Sequence, residues 1–220
     1  MSLLLYGIVE AAGDAPSGEG LHGRPLRGVV EGPLLAVVSD HDAADLEPSV
    51  ATLSEYERTV RELMVRDAIL PARFGSVLED APAVRALLRR RREDLLARLR
   101  RVRGAVEIGL RASWRDGARP RSDVGGSESG TAYLRGRLEQ RRNAARVAGE
   151  LDPLNTIALS ARRLVAPRPD VPVLDAYLVD RARVDEFVAL VERLDRDLDD
   201  VELVCTGPWP PYSFAEGAPV

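Results

Sequence analysis

The stretch VLDAYLVDRARVDEFVALVERLDRDLDDVELVC, residues 173–205, decides the fold class of this chain. It begins with Val173–Val179, an apolar run of strand length. Apolar side chains with helical spacing follow at Val184, Phe187, Val191, Leu194 and Leu198. A second short apolar run, Val201–Cys205, ends the stretch. The order strand, helix, strand predicts a βαβ unit, with its two strands as parallel or near-parallel neighbours packed under the helix.

Upstream of this unit, Tyr133–Val147 and Leu154–Val165 both have helical patterns of apolar side chains. Asp152-Pro153 lies between them and predicts either a kink in one helix or the start of a new one. We therefore expect residues 131–220 to form a C-terminal α+β domain that contains the βαβ unit and ends in a tail rich in proline and aromatic residues.

Residues 114–130 are rich in Arg, Gly, Ser, Asp and Pro and contain almost no apolar side chains. Such a segment cannot offset the entropy of its own ordering by burial. It predicts a flexible linker, which makes residues 1–113 a separate N-terminal domain. The two halves show no repeat at a solenoid period, but they could share a related α+β plan.

Three short apolar runs at the start of the chain predict three strands. Leu3–Val9 is followed by the Gly/Pro-rich residues 11–25, which predict a loop. Gly28–Glu31 and Leu34–Ser39 then flank Gly32-Pro33, and this punctuation predicts two strands joined in a hairpin.

Two helices are predicted between these strands and residue 104. Ser54 and Glu57 have the spacing of a capping box, and they begin a helix of about three turns. After Ile69–Phe74, which is too short for a helix, one long amphipathic helix is predicted from Pro82 to Gly104. Its apolar stripe consists of Val84, Leu88, Leu95, Leu99 and Val102.

The alternation of apolar Val106, Ile108 and Leu110 with other residues then predicts a half-buried strand. We expect this strand to complete the N-terminal α+β domain.

The basic residues of the chain are all arginine, and the formal net charge is -4. The charge is uneven, because Ala81–Arg103 has a net charge of +7 and Asp185–Glu202 has one of -6. The dense arginines of the first segment make a nucleic-acid-binding protein one alternative function. The segment lacks interleaved aromatic residues and the whole chain is acidic, so a solvated helix face is the favoured interpretation, and we expect no nucleic acid partner.

The residues that usually carry catalysis or metal binding are scarce. His22 and His41 lie in predicted loops or at their edges, where an ordinary surface histidine is the favoured interpretation, and no HExxH, GxSxG, Walker A or GxGxxG sequence occurs. The single Cys205 allows no internal disulfide and no cysteine framework for zinc. We therefore expect no catalytic residues, no metal and no cofactor.

No apolar run approaches the roughly 18 residues of a membrane span, and the first residues lack a basic region and a cleavage site. We expect a cytoplasmic protein with no membrane partner.

Two segments contain more proline and aromatic residues than amphipathic elements need. LPARFGSVLED at residues 70–80 places a proline, an arginine and an aromatic ring in a short extended run, followed by Gly75. TGPWPPYSF at residues 206–214 has three prolines, which lower the entropy of the free chain and hold its aromatic rings in place. Capping of the second domain's core and binding of a partner are both open interpretations of this tail.

These two segments closely resemble signatures of the gas vesicle GvpF/GvpL family. Leu5–Val9, Leu35–Ser39, Val106–Leu110 and Ala176–Val179 also occur in the order that the family shows, so the resemblance covers nearly the whole chain. The matching signature residues are Pro71 and Gly75 in the first segment, and Gly207, Pro208, Trp209, Pro210, Pro211, Tyr212 and Phe214 in the second.

The resemblance implies an N-terminal modified ferredoxin-like domain, in which residues 11–25 replace the regular first helix, and a smaller C-terminal α+β domain. It also implies a cytoplasmic, gas-vesicle-associated accessory or minor structural protein. This protein would be required for assembly, bind the shell protein GvpA and other accessory proteins, and need no cofactor.

Our hypothesis is that a strand edge and apolar surface of the N-terminal domain bind the partner, with Val37, Arg73, Phe74 and Ile108 as candidate residues. An enzyme or small-ligand-binding domain on a ferredoxin-like scaffold is a further alternative. A deep pocket with converging polar groups near Arg73 would favour it, and a shallow surface would favour the interaction protein.

Overall fold

The computed structural model describes residues 2–11, 16–42, 46–118, 130–164, 168 and 170–215, with only the backbone for 130–133. These residues form a mixed α+β fold, as the sequence predicts. The chain divides into two compact units. The first unit comprises Met1–Ala105 and Trp209–Val220, and the second comprises Val106–Pro208.

The first unit is built around a five-stranded sheet. Its helices and strands are β1 (Ser2–Glu10), β2 (Arg27–Glu31), β3 (Leu34–His41), α1 (Val50–Arg66), β4 (Leu70–Pro71), β5 (Val77–Leu78), α2 (Ala81–Arg90) and α3 (Arg92–Val102). The strand order is β2-β3-β1-β4, with β5 also paired with β1, and every one of these pairs is antiparallel. β1 and β3 lie in the middle because their apolar runs are buried almost without interruption.

The predicted hairpin is confirmed. Gly32 and Pro33 connect β2 to β3, with Glu31 paired opposite Leu34. Gly32 has a φ of 58°, a left-handed conformation that glycine adopts without strain.

The predicted start of α1 at Ser54 is wrong, because the helix begins five residues earlier with Ser49 as its cap. The Ser49 hydroxyl accepts a hydrogen bond from the Thr52 N–H at 3.1 Å, and the Thr52 hydroxyl accepts one from the Ser49 N–H at 2.8 Å. Threonine thus takes the place of glutamate in the capping box. Tyr56, Val60 and Leu63, which have the spacing of one helix face, are buried.

The predicted single long helix is divided at Arg91, whose φ of -110° and ψ of 15° separate α2 from α3. Helix-type hydrogen bonds continue across the division, because the Arg91 N–H donates to the Leu87 carbonyl and the Leu95 N–H donates to the Arg91 carbonyl. All five residues of the predicted apolar stripe are buried. Gly104 follows α3 with a φ of 72°, the left-handed conformation in which helices commonly end.

The prediction of His41 as a surface histidine is also wrong. Its side chain is fully buried at the end of β3, where Nε2 lies 2.8 Å from the Ser39 hydroxyl. The Ser39 hydroxyl is in turn 2.9 Å from the Tyr6 hydroxyl. Sequence alternation does not reveal such a polar chain inside a sheet, because it forms between β1 and β3. His22 is exposed, as predicted.

The second unit also contains one sheet. Its helices and strands are β6 (Ala105–Trp114), α4 (Gly130–Glu150), β7 (Ser160–Arg163), β8 (Val173–Asp180), α5 (Val184–Asp197) and β9 (Val201–Trp209), with a short 3-10 helix at Asp152–Thr156. The strand order is β7-β8-β6-β9. Counted along the chain, this order is second, third, first, fourth, which is also the order of β1–β4 in the first unit.

Two expectations about this sheet need correction. The strand at Val106–Leu110 exists, but it is part of β6 and lies in the second sheet. β6 also separates β8 from β9, so the two strands of the predicted βαβ unit are not neighbours, although the order strand, helix, strand is confirmed. Alternation predicts that a segment is a strand, but it does not predict its partner.

The predicted helix at Leu154–Val165 is wrong. The segment contains the end of the 3-10 helix and then β7, which pairs antiparallel with β8. Leu154 and Ile157 are buried without a longer helix. The Arg163 guanidinium contacts the Asp175 carboxylate of β8 at 2.9 Å, which adds a side-chain link to this edge strand. Most of the predicted linker, residues 119–129, lies outside the described residues, and Trp114 belongs to β6.

Candidate functional site

The first signature segment forms a turn between two strands that both pair with β1. Leu70 and Pro71 lie opposite Ile8 and Gly7, and the Ser76 N–H then donates to the Arg73 carbonyl at 3.0 Å. Gly75 has a φ of 83°, a left-handed conformation that glycine adopts without strain, and it closes the turn.

This turn holds the Arg73 side chain exposed and the Phe74 ring half-buried. It is fixed at both ends, because the Ala72 N–H donates to the Tyr6 carbonyl and the Leu5 N–H donates to the Ser76 carbonyl, each at 2.9 Å.

The second signature segment returns the chain to the first unit. Trp209 is half-buried, Pro210 and Pro211 are buried, and residues Tyr212–Phe214 form a 3-10 helix. The Phe214 side chain is only 4% exposed, so it anchors the tail in the core of this unit. The interpretation of the tail as a cap on the second domain's core is therefore wrong, because the buried Phe214 belongs to the first unit. Gly207 and Pro208 precede this part, and both are exposed.

α1 supplies the base of the site through Tyr56. The Tyr56 ring stacks on Tyr6 with centroids 5.0 Å apart and meets the edge of Phe74 at 5.4 Å. Its hydroxyl lies 2.8 Å from the Leu5 carbonyl oxygen and 2.9 Å from that of Ala72, and it donates to one of them at a time. Burial raises the pKa of Tyr56 well above its usual value, so this hydroxyl stays protonated and neutral.

Two side chains one turn apart on α1 hold the tail. The Tyr212 hydroxyl donates a 2.9 Å hydrogen bond to Oε2 of Glu57. Arg61 places its guanidinium carbon 3.9 Å from the centre of the Trp209 ring, a cation–π contact, and its Nε lies 3.5 Å from Oε1 of Glu57. These contacts join the tail to α1 inside the first unit.

The result is an open groove of about 680 Å³. It is lined by Leu53, Ser54, Tyr56, Glu57, Arg58, Arg61, Arg73, Phe74, Trp209 and Tyr212. Both signature segments meet there, although about 130 residues separate them along the chain. The groove therefore provides a physical reason for the unusual composition of the two segments.

Of the four candidate interaction residues, Arg73 and Phe74 line the groove, but Val37 and Ile108 do not. Val37 is 1% exposed in β3, and Ile108 is 2% exposed in β6 of the second unit. The four residues thus do not form one surface. Both strands are central in their sheets, and their apolar side chains are buried there.

Sequence reasoning missed Glu57 and Arg61 as site residues. The only local signal was the spacing of an acid and an arginine four residues apart, which usually marks an ordinary exposed pair on a helix. Their role depends on a tail about 150 residues further along the chain.

The groove offers aromatic faces and guanidinium donors. Its one acid in the lining, Glu57, is engaged by Tyr212 and Arg61. Within the described part of the chain, no group of three or more His, Cys, Asp or Glu side chains could hold a metal ion. These side chains suit the binding of another molecule's surface.

The arginine-rich α2 and α3 are partly neutralised by acids of the same unit. The pairs are Arg89 with Glu31, Arg91 and Arg98 with Asp94, and Arg103 with Glu10, at distances from 2.6 to 2.9 Å. The Arg89 guanidinium lowers the pKa of Glu31. These pairs reduce the positive charge that the nucleic-acid alternative requires.

None of the helices in the described ranges has the length and apolar character of a membrane span.

Solved structures of similar fold support the architecture. The crystal structure of the gas vesicle protein GvpF from Anabaena sp. superimposes with a TM-score of 0.79 at 19% identity and covers 98% of both chains. GvpF from Microcystis aeruginosa gives a TM-score of 0.78 at 21% identity, covering 98% of this chain and 99% of that one. At these identities the similarity establishes the fold alone.

Similarity in sequence goes further. Gas vesicle protein F of a Streptomyces species is 33% identical over 98% of this chain and 100% of its own length. Gas vesicle protein L of the same source is 32% identical over 92% of this chain and 88% of its own. The family model described as gas vesicle synthesis protein GvpL/GvpF matches residues 2–216. The chain therefore belongs to the GvpL/GvpF family of gas vesicle synthesis proteins.

Proposed function

We propose that this protein is an accessory or minor structural protein of gas vesicles that is required for their assembly. It acts by binding the shell protein GvpA and other accessory proteins, and it catalyses no reaction. Its place of action is the gas vesicle and the cytoplasm in which the vesicle is assembled.

The observation that carries this proposal is the match of the family model to residues 2–216, which includes both signature segments and both compact units. A match of this extent supports a role shared by the whole family more strongly than a match to one unit would, since a fold alone does not decide function.

The geometry of the groove favours binding over catalysis. A general acid or base needs a group that can exchange its proton with a substrate. Glu57, the acid in the groove lining, instead accepts hydrogen bonds from Tyr212 and Arg61 and thereby holds the tail in place. The groove is open, with aromatic rings along its walls, which is the character of a protein-binding surface and favours the interaction protein over the small-ligand alternative.

A binding role has a physical purpose in the assembly of a shell. The family resemblance implies a small hydrophobic shell protein as the partner. Subunits with exposed apolar surface and unpaired strand edges associate without control unless another protein covers those surfaces. We propose that this chain supplies such cover, and that Arg73 and Phe74 are part of the surface that does so.

Deletion of the coding sequence in a vesicle-forming host tests the requirement for assembly. We expect electron micrographs of the deletion strain to show few or no vesicles, and expression of the full chain from a plasmid to restore them. Vesicles of normal number and shape in a deletion strain that has no second family member would refute the requirement.

Co-purification tests the partner. A tagged full-length chain should retain GvpA from a lysate of the host, whereas the same tag alone should not. Absence of GvpA from the eluate, with the tagged chain folded and abundant, would contradict the proposed binding.

A further inference from the structure

The groove of the first unit combines an aromatic lining with a basic one. Its aromatic lining consists of Tyr56, Phe74, Trp209 and Tyr212. Its basic lining consists of Arg58, Arg61 and Arg73. An apolar side chain and an anionic group can therefore be bound at adjacent points of one surface.

The charge of the lining is positive because its one acid does not cancel it. The lining contains three arginines and one acid, Glu57, a net charge of +2, whereas the whole chain has a net charge of -4. Arg58 also lies 3.8 Å from Glu55, which is outside the lining, so Arg61 and Arg73 carry the argument. Each oxygen of Glu57 also accepts a hydrogen bond from within the protein, one from the Tyr212 hydroxyl and one from the Arg61 Nε–H.

Arginine is suited to carboxylates in particular. A guanidinium has five N–H donors in a fixed plane, which match the two oxygens of a carboxylate. The contact of Arg61 with Glu57 uses its Nε, and its guanidinium carbon lies over the Trp209 ring at 3.9 Å from the ring centre. The Arg73 side chain is exposed and lines the same groove.

The walls of the groove are also held in place before any ligand arrives. Tyr56 is anchored by two backbone carbonyls, the Arg73–Ser76 turn is closed by a backbone hydrogen bond, and Phe214 anchors the tail. A surface that is already ordered loses less entropy when it binds, and a short ligand can then bind with useful affinity.

We propose that this groove binds a short acidic segment of a partner protein, in which a carboxylate lies beside a large apolar side chain. The carboxylate pairs with Arg73 and Arg61, and the apolar side chain packs against Phe74 and Trp209. This inference rests on the proposed function, since it names the chemistry by which the protein recognises one of its partners. The volume of about 680 Å³ fits a few side chains of such a segment.

The test uses the full-length protein and two fluorescent peptides. The first is acetyl-Gly-Asp-Trp-Glu-Leu-Asp-Gly-amide, and the second has the same sequence with Asn and Gln in place of the acids. We expect the acidic peptide to bind about tenfold more tightly in low salt, a difference that decreases as the salt concentration rises. Fluorescence anisotropy measures both affinities.

Variants locate the site. Arg73→Gln should weaken binding of the acidic peptide about five- to tenfold and leave that of the amide peptide nearly unchanged. Phe74→Ala should weaken both peptides. Arg90→Gln, an exposed arginine on α2 outside the groove, is the matched control and should bind as the wild type does. Arg73 is exposed, so its variant is expected to fold, and a thermal melt of each variant checks this.

Equal affinity for the two peptides, or wild-type affinity of Arg73→Gln, would overturn the proposed ligand. Self-association of the chain that Arg73→Gln abolishes would overturn it as well, because the occupant would then be a second copy. GvpA co-purification with the same variants separates the two proposals. If the wild-type chain retains GvpA but does not prefer the acidic peptide, the proposed function stands and only the groove ligand is refuted. If the chain prefers the acidic peptide but retains no gas vesicle protein, the proposed function is refuted.

Discussion

The hydrogen bond from Tyr212 to Glu57 provides a direct test of how the tail is held. The bond joins residues 155 positions apart, at 2.9 Å, between the last 3-10 helix and α1. Tyr212→Phe removes the hydroxyl and keeps the ring, so it deletes the bond and preserves the packing. We expect this substitution to destabilise the first unit and to loosen the tail on α1.

The magnitude follows from the type of bond and its exposure. A hydrogen bond to a charged group contributes about 1.5–3 kcal/mol to stability. Glu57 has a side chain 29% exposed, and water competes for it, so we take a value below that range, about 1 kcal/mol. This corresponds to a roughly fivefold change in the equilibrium between docked and undocked tail.

A double-mutant cycle isolates the bond from other effects. Glu57→Gln alone also weakens the contact with Arg61, and the double variant Glu57→Gln/Tyr212→Phe corrects for that contribution. We expect a coupling of about 1 kcal/mol in urea unfolding. A Trp114→Phe background leaves Trp209 as the single tryptophan, so its fluorescence reports the tail directly. A coupling indistinguishable from zero, or a Trp209 signal that the substitutions leave unchanged, would show that the bond does not hold the tail.

Three further predictions concern two glycines, the cysteine and a truncated chain. Gly75→Ala should lower the free energy of unfolding by about 1–2 kcal/mol, because a φ of 83° disfavours a side chain even though no atom lies within 4 Å of the added methyl group. Gly149→Ala in α4 should instead raise the free energy of unfolding by up to about 1 kcal/mol. Chemical unfolding of both variants checks this contrast. Burial raises the pKa of Cys205 to about 11, so its thiol should react slowly with iodoacetamide at pH 8 and faster as the pH rises towards 11, while the urea-unfolded chain should react quickly at pH 8. A truncated chain of residues 1–113 should aggregate or unfold more readily than the full chain, because it lacks residues 209–215 and contains β6 without its partner strands; comparable thermal stability of the two would contradict the observed division into units.

Local sequence patterns predict those helices and strands whose limits are set by residues close together in the chain. The β2–β3 hairpin was evident because Gly32-Pro33 interrupts two apolar runs of strand length. The start of α1 was misplaced because Ser49 and Ser54 are both good caps, and the residue that decides between them, Thr52, is a less usual member of a capping box.

Long-range pairing was beyond the reach of these patterns. Nothing in the alternation of Val106–Leu110 indicates that β6 lies between β8 and β9, since pairing is decided by packing across the whole unit. The same limit applies to Val37 and Ile108. An apolar strand residue has the same local pattern whether its face of the sheet is exposed or buried, so the pattern does not predict that both side chains are buried.

The candidate site was predicted in part, and the reason is compositional. Trp209 and Phe74 belong to segments whose prolines and aromatic rings exceed the needs of a strand or helix, and such an excess indicates a special role. Glu57 and Arg61 remained hidden because their partners come from a distant part of the chain.

The strand order adds support to the domain interpretation. In the first unit, β1–β4 pair in the order second, third, first, fourth with antiparallel neighbours. The described residues 16–26, which precede β2, contain a short 3-10 helix at Leu21–Gly23 and no α-helix. A βαββαβ unit whose first helix has been replaced would have this arrangement. We therefore propose a modified ferredoxin-like domain for the first unit, extended by residues 209–215.

The position of the tail in the chain has a consequence for when the groove can work. α1 and the Arg73–Ser76 turn belong to the first hundred residues, but Trp209 and Tyr212 follow the whole second unit. During synthesis the first unit therefore lacks the part of its groove lining that Trp209 and Tyr212 supply until the second unit has been made. A partner that requires both aromatic walls can bind only a chain that has reached residue 214. Under the proposed function, this order of the segments couples recognition of the partner to the presence of both units.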